Sequence, residues 1–437
     1  MDKFILKGNI LYSVSPKELI AYEKGYLVCE DGRSKGVFQE IPAEYSGYPL
    51  IDYEDRLIIP GMVDLHLHAP QFAFRGLGMD LELMDWLKQH AFCEEAKYSD
   101  PAYAGKAYAI FAEALRNSAT TRACIFATRH REATELLMDL MEKSGLVTYV
   151  GKVNMDRDAS DELVEESALY SADETKVWLK NVLSRYERTK PILTPRFIPC
   201  CTDELMDRLS RLQEVYDLPV QSHLSENPGE IELVQILRPD SRFYGDAYDR
   251  HNMFGRNHQL NKEVKTIMAH CVWSGEEEME RMRQNGVYVA HCPASNTNLS
   301  SGIAPLRKYL DKGLRIGLGS DVAGGHTESM FRAIADAVQV SKLYWRLVDA
   351  SIPSVTFAEA FYLATKGGGA FFGKVGSFEE GYAVDAVVLD DSCIPHPQEL
   401  TATERLERAV YLSLDQKGIC AKYVDGKPIF TNVCGER

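Results

Sequence analysis

His66-Leu67-His68 is the sharpest chemical signal in this chain of 437 residues. The triplet closes an apolar run, and side chains two apart on a strand face the same way, so both imidazoles can reach one ion. Neutral imidazole is the commonest metal ligand. Such a pair also arises at a plain strand end, so it decides nothing alone. Three more ligand-type residues end other apolar runs: His223 after PVQS, His270 after TIMA and Asp321 after GLGS. Any one of them is explained as a buried histidine or a strand-end aspartate. Five of them at four strand ends are not, and the pattern predicts a hydrolytic metal centre.

Residues so far apart in the chain need a scaffold that brings strand ends to one rim. Apolar, strand-like runs occur at 62–66, 122–127, 147–153, 192–198, 219–223, 266–270, 287–291 and 314–320, with helical periodicity between them. Ser99-Asp100-Pro101 supplies cap candidates before a proline at a first helical position. Strand alternating with helix implies parallel pairing and right-handed crossovers. Eight repeats predict an α/β fold of the (β/α)₈ TIM-like barrel type over 61–372, with chemistry at the C-terminal strand ends. The first 60 residues read as strands and turns, and strand patterns return after a glycine-rich break at 366–369. Segments 1–60 and 373–437 are therefore expected to form one small β-sandwich into which the barrel is inserted. The polar stretch 239–261 is a candidate mobile loop over the barrel mouth.

Composition excludes several partner classes. The formal charge is −15 and no Lys/Arg-rich run occurs, which argues against nucleic acid and against a membrane surface. No segment approaches the ~18 apolar residues that span a bilayer, and the N-terminus lacks a signal-peptide pattern. A cytoplasmic protein is expected. Ten scattered cysteines form no CxxC pair, so a thiolate zinc site is not expected and reduced thiols are. His291-Cys292-Pro293 lacks the glutamate and second cysteine of the H-x-E, P-C-x-x-C zinc-site pattern, and reads instead as the end of strand seven supporting the site. Gly317, Gly319, Gly324 and Gly325 match no phosphate-binding pattern, and close backbone approach beside Asp321 explains them.

The run PGMVDLHLHAPQ resembles the opening motif of the amidohydrolase superfamily. Together with TPRFIPC, QSHLSEN, MAHCVW, HCPASN, GLGSDVAGG and GSFEEGYAVDAVVLD, it resembles in particular the guanine deaminases, in order and over essentially the whole chain. That resemblance implies one zinc per chain, with iron as the alternative metal, held by His66, His68, His223 and Asp321. His270 would lie beside the activated water, as a ligand or as a hydrogen-bond donor. Three imidazoles and one carboxylate leave a position for water, as a catalytic zinc requires. The superfamily's binuclear members carry a lysine at the end of strand four, where this chain has Arg196. Lys152 is the nearest lysine, in a context that does not match.

The resemblance also implies roles. Glu226, in the family's HxxE pattern, would protonate the ring nitrogen beside the attacked carbon. Asp321 would take the water proton and help deliver it to the leaving amine, and His270 would stabilise the oxyanion. Gln71, Arg196 and Phe197 belong to the implied base-binding set, with His223, Glu226 and Asp321 also facing the base. Arg196, a donor only, suits the carbonyl oxygen of guanine and disfavours the amine of adenine. The segment DLELMDWLKQHAF is a candidate pocket wall, in which Trp86 is as readily core as contact. Guanine is the expected substrate. Another aminopurine, a pterin or an aminotriazine stays open, as does a non-catalytic scaffold, which would be expected to have lost ligands. A homodimer is expected from the same resemblance.

Overall fold

The computed structural model describes residues 3–431, so Cys434 and the outermost residues of the expected accessory domain lie outside it. Eight parallel strands form the barrel: Met62–His68, Thr120–Phe126, Val147–Gly151, a fourth in two pieces, Val220–Leu224, Thr266–His270, Tyr288–His291 and Arg315–Leu318. The ring closes where Asp321 N donates to His66 O at 2.8 Å and His68 N donates to Val322 O at 2.9 Å. Inside, Val63, Leu65, Cys124, Ile192, Ile267, Ala269, Tyr288 and Ala290 pack as a filled core.

Strand four departs from the run expected at 192–198. It survives only as Thr189–Pro191 and Thr194–Pro195. Pro191 and Pro195 have no N–H for the ladder, and the chain turns through Ile198–Cys200 straight afterwards. The first long helix is as expected: it spans Pro101–Asn117, and the Asp100 side chain accepts from Ala102 N at 2.9 Å.

Two other expectations need correction. The glycine-rich run at 366–369 is no break, because Leu363–Gly367 is a π-turn continuing the helix Phe357–Tyr362. A Cβ at Gly369 would stand 2.3 Å from Val375 O, so the run is small in order to pack against its neighbours. The stretch 239–261 is packed down by buried side chains rather than lying free as a loop. Tyr244, Tyr248 and Phe254 are buried, with ring centroids 5.9 and 6.5 Å apart in sequence order. Its polar composition hid three aromatic anchors.

Strands from both ends share one seven-stranded sheet, in the order Lys427–Thr431, Ile419–Val424, Ala386–Leu389, Leu50–Pro60, Lys3–Ser15, Glu18–Glu30, Arg33–Phe38. Buried polar clamps fasten it to the barrel. Lys422 Nζ, fully buried, caps the helix Pro101–Asn117 by donating to Arg116 O and Ser118 O, both at 2.9 Å. Arg122 of the second barrel strand pairs with Asp385 through Nε at 2.6 Å and Nη2 at 3.2 Å. Asp385→Ala leaves that buried guanidinium with only the partly exposed Asp425, at 2.7 Å, and is expected to cost about 3 kcal/mol. Urea unfolding of the metal-loaded protein reads the loss, and an unchanged midpoint would refute the clamp. Among the described residues no helix is long and apolar enough to cross a membrane.

Candidate active site

The C-terminal barrel rim gathers the strand-end residues. His68 Nε2 lies 3.2 Å from His223 Nε2, and Asp321 Oδ1 lies 3.1 Å from His66 Nε2 and 3.5 Å from His68 Nε2. His270 Nε2 stands 3.4 Å from Glu226 Oε2 and 3.8 Å from Asp321 Oδ2. Within His66, His223 and His270, and within His66, His68 and Asp321, single ligand atoms fall within 4.8 Å of one another.

These contacts are not ordinary hydrogen bonds. Both ring nitrogens of His66 are buried without a hydrogen-bond partner despite the nearby carboxylate. Such orphans are costly unless something else satisfies them. Lone pairs converging from imidazoles and a carboxylate on one point fit a divalent metal of the zinc type. The outer contacts agree. His223 Nδ1–H donates to Arg196 O at 2.6 Å, which turns its Nε2 lone pair inward, and His270 Nδ1–H donates to Asn296 Oδ1 at 2.9 Å, which aims its Nε2 inward.

Local backbone explains how the rim is built. Ser225, His270, Cys271 and Asp321 all have φ between 46° and 69°, sparsely populated for such residues. Strain of this kind clusters where a site needs it. Gly319 lets the eighth strand lie against the first, since a Cβ there would stand 2.9 Å from Cys292 Sγ and 3.0 Å from His66 Cβ. After strand five, Asn227 and Glu230 form a capping box around Pro228. Glu230 Oε2 also accepts from Glu226 N at 3.0 Å, which pins the backbone under the Glu226 carboxyl.

The electrostatics separate the groups. Burial pushes His66, His68 and His223 below the usual histidine range, so all three are neutral as ligands must be. Burial opposes charge on His270 as well, but the Glu226 and Asp321 carboxylates outweigh it and hold this ring above that range. Burial raises Glu226 to about 7. Asp321 goes the other way: burial would raise it, but the imidazoles of His66 and His270 outweigh that and keep it ionised.

A small cavity opens onto this cluster. Gln71, Arg196 and Phe197 line it together with His68, His223, Glu226, His270 and Asp321. Leu83, Trp86 and Leu87 close one side, so the segment expected as a pocket wall is one. Every residue expected in the site lies in the cluster or its wall. Lys152 does not. Its Nζ is committed to Glu165 at 2.7 Å in a buried pair.

A sequence model of the amidohydrolase family matches residues 57–428. Guanine deaminase of Dictyostelium discoideum is 36% identical over 388 residues, covering 87% of this chain and 84% of that one. The chain belongs to the amidohydrolase family, among its guanine deaminases. A second guanine deaminase, from Escherichia coli K12, is 34% identical over 391 residues, 87% of this chain and 84% of its own. The crystal structure of guanine deaminase from C. acetobutylicum with bound guanine in the active site superposes with a TM-score of 0.93. It is 44% identical and covers 98% of this chain and 100% of that one.

For an amidohydrolase built this way, sequence reasoning missed three supports. Asp64, two residues before His66, accepts from Ser320 N at 3.0 Å and Ser320 Oγ at 2.5 Å, tying strand one to the residue before Asp321. Its place in DLHLH was the available signal. Asn296 orients His270, as HCPASN hinted in general terms only. Glu95 had no motif around it, although an acid flanked by Phe92, Ala96 and Tyr98 on one helical face could have raised the question.

Proposed function

We propose that this chain hydrolyses guanine to xanthine and ammonia, using one zinc held by His66, His68, His223 and Asp321. The observation that carries the reading is the shared cavity: the donors of Arg196 and Gln71 line the same space as the imidazole cluster and Glu226. The relative that is 44% identical and contains guanine favours the same base. A single ion fits better than two, because Lys152 is held by Glu165 and Arg196 stands at the fourth strand end.

Bound there, zinc supplies Lewis acidity that makes water nucleophilic near neutral pH. The protein residues do the rest. Arg196 donates to the guanine carbonyl oxygen, and Gln71 meets the mixed donors and acceptors of the ring edge. Phe197, buried beside His223, packs on the base. Glu226 delivers a proton to the ring nitrogen next to C2 as water adds to that carbon. His270 donates a hydrogen bond to the developing oxyanion. Asp321 accepts a proton from the attacking water and returns it to the amine. The C2–N bond then breaks, ammonia departs, and the hydroxyl now on C2 returns its proton to Glu226 as it becomes the carbonyl of xanthine.

Arg196→Ala tests the recognition step. It is expected to raise KM for guanine about 10- to 100-fold and to leave the metal content unchanged, because His223 is held by the Arg196 backbone carbonyl rather than by its side chain. Steady-state ammonia release beside elemental analysis reads both. An unchanged KM would remove Arg196 from base recognition.

In this reading 61–372 is the catalytic unit, and 1–60 with 373–437 is the accessory unit. All nine described cysteines are free, which fits the reducing cytoplasm. Leu343, Leu347 and Val348 leave apolar side chains exposed at one helix end, which fits a homodimer.

A further inference from the structure

Glu95 sits outside the imidazole cluster, with 1% of its surface exposed. Two of the residues assigned to the base are tied to it. Arg196 Nη1 donates to Glu95 Oε2 at 2.6 Å and Arg196 Nη2 donates to Oε1 at 3.1 Å. Gln71 Nε2 donates to the same Oε1 at 2.8 Å.

The consequences follow from donor inventories. A guanidinium has five N–H groups in a rigid plane, so a two-point carboxylate grip fixes the direction of the three that remain. The Phe92 ring, 5.2 Å from the guanidinium carbon, bears on the same group. Glu95 also settles the amide of Gln71. A carboxylate only accepts, so Gln71 must present its NH₂ to Glu95 and turn Oε1 away, where Ala323 N lies at 3.4 Å. Charge is balanced as well. Arg196 and Glu95 together are neutral, which suits an uncharged base better than an anion.

We propose that Glu95 is the positioning residue that sets specificity, ordering Arg196 and Gln71 as one template for a purine with an acceptor oxygen at C6. The proposal rests on guanine being the substrate. Glu95 touches neither the reacting carbon nor any metal ligand. Its effect passes through the two residues it holds.

The test compares guanine with 2-aminopurine, which keeps the 2-amine and the ring but lacks the oxygen at C6. Metal-loaded wild type, Glu95→Gln, Arg196→Met and the double variant are assayed for guanine turnover, with 2-aminopurine scored as a competitive inhibitor. Glu95→Gln is expected to lower kcat/KM for guanine about 10- to 100-fold, mostly through KM. Metal content and 2-aminopurine affinity should hardly move. In the Arg196→Met background the same change should add almost nothing with guanine. Equal losses on both ligands, or additive losses in the double variant, would overturn the proposal and leave Glu95 a plain structural acid. Should Glu95→Gln not fold, the double variant carries no stranded charge, and its comparison with Arg196→Met alone still decides. A wild type inert towards guanine would overturn the substrate reading as well. A wild type active on guanine, with discrimination against 2-aminopurine unaltered by Glu95→Gln, would overturn this proposal alone.

Discussion

Glu226→Gln is expected to slow guanine turnover about 10²- to 10⁴-fold while the protein keeps its metal. The substitution preserves size and leaves Ser301 Oγ, which donates to Glu226 Oε1 at 3.2 Å, with an oxygen to meet. It removes the one property the reaction needs, a carboxyl that can give and regain a proton. Glu226 is suited to that because burial lifts it to about 7, so both forms are populated near neutrality. It belongs to neither group of converging ligand atoms, which is why metal content should survive. Ammonia release and elemental analysis on one preparation are enough. A variant within a few-fold of wild type would take Glu226 out of the mechanism.

Removing the metal should have the larger consequence, abolishing turnover and loosening the fold together. Without an ion, the buried Nε2 of His66 is left unsatisfied at the barrel rim. An ion that binds only the folded chain contributes about 4 kcal/mol when present at a thousand times its dissociation constant. Chelator-treated protein is therefore expected to melt at a lower temperature and to release no ammonia, and added zinc should restore both. Metal-free protein that stays active, or melts where the loaded protein does, would end the metal reading.

Strand ends and the ligand-type residues on them could be read from the chain because two simple periodicities converge on them. A strand that alternates and stops at a fixed register puts His66 and His68 on one side, and the same logic located His223, His270 and Asp321. Strand four was harder. Its apolar run is genuine, but Pro191 and Pro195 break the ladder, so apolarity overstated its length. The region 239–261 misled in the opposite direction, since polar residues surround Tyr244 and Tyr248, whose hydroxyls bond to Glu230 and to the backbone of His223. Glu95 was illegible for a different reason. One of two adjacent acids in a helix reads as solvated until its partners are known, and Arg196 lies 101 positions away.

The sheet order bears on how this polypeptide can be made. Leu50–Pro60 receives its neighbour Ala386–Leu389 from the far end of the molecule, with Leu57 opposite Leu389. A nascent chain leaving the ribosome thus carries one open strand margin until more than three hundred further residues, up to Ala386–Leu389, have been made. Such margins are where newly made proteins go astray by joining one another. Truncated products that stop short of Ala386 should accordingly be the ones that most need a chaperone.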